Sequence, residues 1–311
     1  MRRNTSRKIF GSLVVAISIL SCNRGDQTKK TGPTVALVVK TLNNAFFIEM
    51  EKGARAAADS LGIQLIVQAP EREIDVEKQM QIVENLIERK VDVLLLVPSG
   101  SREIVPVVGK ANAANIPVVT VDTRADAAAL TAANAHIATF IGSDNVEGGR
   151  IAGEFVAQKL EGRGKIAVLE GIPGHETGDS RLKGFREAIA KHAGITIVAS
   201  QTANWERDQA FNVMQNILES HPDIQAIFAC NDVMALGAIE AIAAAGKTKT
   251  IAVVGFDAQD DARRAIREGR MAATIAQNPY EMGRLAVISA SRILKGEAVP
   301  AEQPVAIQLV K

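Results

Sequence analysis

The stretch Val35-Ala36-Leu37-Val38-Val39, followed after Lys40 by Thr41-Leu42-Asn43-Asn44-Ala45-Phe46-Phe47, decides how the chain is read. Five apolar residues in succession suit a strand covered on both faces, because a strand with one wet face would alternate. A polar segment ends that run, and an amphipathic pattern with helical spacing occupies residues 48–61. Strand, turn and helix in this order form half of a βαβ unit.

The same unit recurs to the C-terminus. Strands are expected at 35–39, 64–68, 93–97, 118–121, 138–141, 166–169, 195–199, 226–229, 251–254, 273–276 and 305–310. Helical patterns lie between them, for example at 76–88 and 209–218, and Asn278 can cap a helix with Pro279 in its first turn. Such alternation defines an α/β fold of doubly wound parallel sheets. Ten or eleven strands fit two sheets better than one, and 311 residues suit two domains. Residues 124–135 read as a connection, and composition alone puts a domain break near residue 140.

The first residues carry a different message. Arg2, Arg3, Arg7 and Lys8 precede an apolar run at 9–20 that is too short to span a bilayer but fits a secretory signal. Its ending, Ile19-Leu20-Ser21-Cys22, resembles a bacterial lipobox, so residues 1–22 are expected to direct export with Cys22 as the lipidated first residue of the mature chain. Residues 23–33 are polar and rich in breakers, as a tether should be. The formal charge of +1 becomes about −3 once the four basic residues of the signal are subtracted, which argues against nucleic acid as a partner. Cys230, within an apolar run, reads as a small buried hydrophobe rather than a reactive thiol.

In open α/β sheets ligands bind beyond the carboxyl ends of the strands. The residues found there are Asn43, Asn44, Phe46 and Phe47; Asp122; Asn204 and Trp205; Asn231 and Asp232; Phe256 and Asp257; and Gln277. Aromatics are only 4% of the chain, so four of them near strand ends, beside Asn, Asp and Gln, are informative. Planar rings can cover the C–H faces of a sugar, while carboxylates and amides bond its hydroxyls. Asp144, Asn145 and Asp232 read mainly as helix caps. The four histidines (His136, His175, His192 and His221) have no metal spacing, so no metal site is expected. The first strand lacks a G-x-G-x-x-G turn, and the loop at 171–178 lacks the Lys-Ser/Thr ending of a P-loop. Neither a cofactor nor a catalytic residue is expected.

From Thr34 onward the chain resembles bacterial periplasmic ribose-binding proteins of the pentose- and hexose-binding family. The resemblance rests on the opening stretch and on Ala114-Asn115-Ile116-Pro117-Val118-Val119, Ser143-Asp144-Asn145, Asn212-Val213-Met214-Gln215-Asn216, Asn231-Asp232-Val233-Met234-Ala235-Leu236-Gly237-Ala238, Val254-Gly255-Phe256-Asp257 and Ala272-Ala273-Thr274-Ile275-Ala276-Gln277. It implies a type I periplasmic binding protein, with two doubly wound lobes joined by a hinge. The first lobe would comprise residues 34–143 and 278–306, the second 144–277 and 307–311. It further implies that Asn44, Phe46, Phe47, Asp122, Arg181, Trp205, Asn231, Asp257 and Gln277 line a sugar site, with Phe256 near it. Phe46 and Trp205 would be the stacking faces. The expected protein is a periplasmic or cell-surface lipoprotein, a monomer that delivers a monosaccharide or polyol to a membrane ABC permease. A sensor docking to a chemoreceptor or histidine kinase is the alternative. The effector domain of a lactose-repressor-type regulator would need a helix-turn-helix before Thr34, where an apolar run stands instead.

Two positions depart from the ribose-binding pattern. Ribose binders carry Arg immediately after the aspartate corresponding to Asp122, where this chain has Thr123 and places Arg124 one residue later. A step of one residue along extended chain points a side chain the other way. Trp205 stands where Phe is usual. The identity of the sugar is therefore left open between pentoses, hexoses and polyols.

Overall fold

The computed structural model describes Met1 and residues 32–311. The expected signal segment, Cys22 and nearly all of the tether fall in residues 2–31 and lie outside the described residues.

The elements alternate as expected. They run β1 (Thr34–Val38), α1 (Ala45–Leu61), β2 (Gln64–Gln68), α2 (Val76–Glu88), β3 (Val93–Leu96), α3 (Val105–Ala113), β4 (Val118–Val121), α4 (Ala127–Ala132) and β5 (Thr139–Gly142). Next come α5 (Asn145–Lys159), β6 (Arg163–Glu170), α6 (Glu176–Ile189), β7 (Gly194–Thr202), α7 (Arg207–Ser220), β8 (Ala226–Ala229), α8 (Asp232–Ala244), β9 (Ala252–Asp257), α9 (Asp260–Arg267) and β10 (Ala273–Ala276). The chain ends with α10 (Pro279–Leu294), β11 (Glu302–Pro304) and β12 (Gln308–Val310). Among the described residues the strands form two sheets, ordered β11-β5-β4-β3-β1-β2 and β12-β10-β9-β8-β6-β7. All pairings are parallel except β10 with β12. The chain passes from one sheet to the other after β5, after β10 and after β11.

The continuous apolar run of β1 has a direct cause. Val35, Leu37 and Val39 join a core that includes residues of α1 and α10, while Ala36 and Val38 join another that includes residues of α2 and α3. Both faces are dry, so neither side of the strand can be polar. Helix starts are equally local. The side-chain Oδ1 of Asn44 accepts from the backbone N–H of Phe46 at 3.0 Å, and Asn278 Oδ1 accepts from Glu281 N–H at 3.0 Å with Pro279 following it.

Four expectations need correction. Of Asp144 and Asn145 only Asp144 caps α5, while Asn145 Oδ1 accepts from Arg181. The segment 124–135 is not a bare connection, because Asp126 caps the short helix α4, whose Ala-rich composition favours it. Of the strand expected at 305–310 only residues 308–310 form one, as β12, and Val305 lies in the link between β11 and β12, which belong to different sheets. Strand β11, Glu302-Gln303-Pro304, has no apolar pattern to announce it. Asp232 does not cap α8, since Asn231 takes that role at 2.8 Å from Met234 N–H. Asp232 is instead buried, accepting from the Thr274 hydroxyl at 2.7 Å and from Gln259 N–H at 2.8 Å.

Candidate functional site

The carboxyl ends of both sheets face one cavity. Asn44, Phe46 and Phe47 reach it from the start of α1, and Asp122 from the end of β4. Trp205 follows β7, Asn231 follows β8, Asp257 ends β9, Gln277 follows β10, and Arg181 comes from α6. The structure thus brings all nine expected residues together around one space. Lys40, Glu73 and Thr177 also line it and were missed. Lys40 lies two residues beyond β1, so the strand-end rule could have found it. Glu73 lies in the charged run Glu71-Arg72-Glu73, which reads as a solvated loop and offers no signal.

The polar groups are arranged rather than merely present. Arg181 donates from Nε to Asn145 Oδ1 at 2.9 Å and from Nη1 to the Cys230 carbonyl at 2.7 Å, with Nη1 3.8 Å from Asp257 Oδ1. Its guanidinium stacks on Phe256, 3.8 Å from the ring centroid, so Phe256 supports Arg181 from behind and does not itself line the cavity. Gln277 donates from Nε2 to Asp257 Oδ1 at 2.8 Å. Its Oε1 and the Trp205 indole N–H are buried without a hydrogen-bond partner among the described residues. On the other side, Lys40 Nζ approaches Asp122 Oδ2 at 3.3 Å, and the Thr123 hydroxyl donates to the same oxygen at 3.1 Å. Asn44 donates to Glu73 Oε1 at 3.1 Å.

Burial dominates the electrostatics. Desolvation pushes the Asp257 carboxyl up to about 7 although Arg181 and Gln277 oppose the shift. It raises Glu73 against the pull of Lys40 and Asn44. Asp232, buried and near Asp257, stands well above the usual carboxylate range. The Cys230 thiol is pushed up to about 12, which leaves no thiolate for chemistry.

The backbone is strained where the chain turns into the cavity. Asp122, Trp205 and Asp257 have φ of 62°, 67° and 116°. Non-glycine residues in this region cost on the order of 1–3 kcal/mol each and persist where surroundings and function hold them. Gly171 is required for a related reason, because a Cβ there would collide with the six-membered ring of Trp205. Arg124 is turned away from the cavity, paired with Glu302 at 2.7 Å and stacked 3.8 Å from the Phe140 centroid. The cation beside Asp122 is therefore Lys40.

Contacts join the two lobes around the cavity. Gln259 Nε2 donates to Asn44 Oδ1 at 2.9 Å, and Arg72 Nε to Glu206 Oε1 at 3.2 Å. The hydroxyls of Thr123 and Thr177 are 3.0 Å apart, and Glu176 N–H donates to Ser101 Oγ at 3.0 Å.

Two doubly wound lobes closed over a polar cavity with aromatic walls define a two-lobed binding protein for a small polar molecule. The periplasmic binding protein domain matches residues 35–298, and the chain belongs to that family. It is 41% identical over 303 residues to the ribose import binding protein of Escherichia coli strain K12, covering 97% of this chain and 98% of that protein. To the D-allose-binding periplasmic protein of the same strain it is 35% identical over 277 residues, covering 88% and 89%. An ABC transporter periplasmic solute binding protein from Actinobacillus succinogenes 130z, solved with bound D-allose, superposes with a TM-score of 0.85. The two are 39% identical, and the match covers 90% of this chain and 97% of the other.

Proposed function

We propose that the chain binds a monosaccharide, whether pentose, hexose or related polyol, outside the cytoplasmic membrane and passes it unchanged to an ABC importer. One observation carries this reading: the nine residues that the family resemblance assigns to a sugar site line a single cavity between two lobes. The relatives, which are import binding proteins for ribose or binders of D-allose, support it.

Phe46 and Trp205 cover the C–H faces of the ring. Asp122, Asp257, Asn231, Gln277 and Arg181 bond its hydroxyls, with Asn44 and Phe47 completing the wall. A carboxylate bonded to a hydroxyl makes a charge-assisted hydrogen bond, worth about 1.5–3 kcal/mol. The lobes comprise residues 34–143 with 278–306 and residues 144–277 with 307–311, and hinge closure between them sequesters the ligand. The protein works as a monomer held to a membrane by lipid on Cys22, and it catalyses nothing. The site offers ring faces and hydrogen-bonding groups suited to holding a sugar.

A thermal-shift screen of sugars and polyols, D-ribose and D-allose included, tests the reading. A true ligand at 100 times its Kd stabilises the folded state by about 2.7 kcal/mol and raises Tm. A panel in which no sugar or polyol moves Tm overturns the reading.

A further inference from the structure

His175 is a buried titratable group to which the sugar-binding reading gives no part. It stands at the N-cap of α6, 2% exposed, in the Gly-rich loop that follows β6. Its Nε2 lies 3.2 Å from the carbonyl oxygen of Pro98 on the other lobe. A carbonyl only accepts, so Nε2 carries the proton and Nδ1 is left a bare acceptor. Nδ1 is buried and finds no partner among the described residues. The ring meets Trp205 edge-on at 6.0 Å between centroids. With Glu176 bonded to Ser101 and Thr177 to Thr123, three successive residues of the second lobe reach across to the first.

The charged groups facing the ring are cations, Lys40 from beyond β1 and Arg181 from α6. The nearby carboxylates do not bond the ring, although Glu176 Oε2 is itself buried without a partner among the described residues. Asp122 accepts from Lys40 and Thr123, Glu176 accepts from Ser180, and Asp179 from the backbone of Gly174. Burial first, and then Lys40 and Arg181, hold the His175 ring well below its ordinary value, against the opposing bond to Pro98.

We propose that His175 is a positioning residue for ligand binding: its neutral ring holds Trp205 and Pro98 together in the closed cleft, and proton uptake opens the cleft and releases the ligand. The inference rests on the sugar-binding reading. A protonated ring gains a second N–H with no acceptor and a charge facing two cations. Opening relieves both, because it hydrates the ring and frees it from Pro98. In the open cleft the ring titrates near its ordinary value of about 6.5. Below that pH the open form binds one proton more than the closed form. Closure is therefore favoured above about pH 6.5 and is lost as pH falls, with affinity dropping up to about tenfold per pH unit.

Asp257 titrates in the same range, so the test reads a difference between two proteins. Wild-type chain and His175→Gln are titrated with D-ribose and with D-allose by calorimetry from pH 8 to pH 5. We expect the slopes of log Kd against pH to differ by about one proton below pH 6.5, with the wild type losing more affinity on acidification. Gln can donate to Pro98 but does not titrate, so a purely structural role for His175 leaves the two slopes equal. Equal slopes overturn the inference. If neither sugar binds the wild type, the titration is run with whichever sugar or polyol of the thermal-shift panel raises Tm; if none does, the sugar-binding reading has failed and the inference falls with it.

Discussion

Lys40 Nζ lies 3.3 Å from Asp122 Oδ2, with 4% of either side chain exposed. The pair sits where the expected arginine after Asp122 is missing, and Arg124 has gone to Glu302 instead. Breaking a buried pair from one side leaves a charge with no partner, at a cost of about 3–5 kcal/mol. Lys40→Met should lower the stability of the ligand-free protein by that order in chemical denaturation. Removing both charges, as in Lys40→Met with Asp122→Asn, should recover most of it. Equal stability for the single and double variants would show that Asp122 is already hydrated.

Asp257 gives a pH dependence of the opposite kind to an ordinary carboxylate. Burial raises its folded value to about 7, above its ordinary value of 3.8. Its contribution is thus fully present below about pH 3.8 and is lost as pH rises from there through about 7. Lowering the pH from 7.5 to 5 should raise the Tm of the ligand-free wild type relative to Asp257→Asn. A constant Tm difference between the two over that window would place Asp257 in a wetter setting than its burial implies.

Gly171 tests whether the position of the indole matters. Gly171→Ala inserts a methyl group where the Trp205 ring lies. Overpacking of this kind costs about 1–3 kcal/mol and moves the softer partner. Sugar affinity should fall by about tenfold, with a changed near-ultraviolet circular dichroism spectrum. Full affinity with an altered spectrum would mean that Trp205 moves without touching the ligand.

How much of this was readable beforehand depends on what each signal is made of. The apolar run 35–39 announces a buried strand because both its faces meet helices, and Asn278-Pro279 announces α10 because capping is local. The residues at strand ends were legible for the same reason: topology alone places them at the cleft. Arg181 was different, since it lies within α6 and only the family resemblance pointed to it. Glu73 and Thr177 enter the cavity through loop and helix geometry that no periodicity records. Strand β11 escaped because it is held by backbone pairing to β5 and by Gln303 bonding Thr139 and Ser289, none of which needs apolar residues.

Anchoring is tested at Cys22. Wild-type protein expressed in a bacterium should incorporate a fatty-acid label and fractionate with membranes, whereas Cys22→Ser should carry no label and leave the membrane fraction. A mature N-terminus mapped to another residue, without an acyl group, would overturn the anchor.

The most direct measurement uses the fact that the chain contains a single tryptophan. Emission excited selectively from tryptophan therefore reports position 205, a wall of the cavity that is 6% exposed. With D-ribose or D-allose added to the wild type, the account predicts a saturable shift in emission and protection of Trp205 from acrylamide, both following the calorimetric binding curve. A sugar that binds by calorimetry yet leaves emission and quenching unchanged would contradict it, because the ligand would then lie somewhere other than between the lobes.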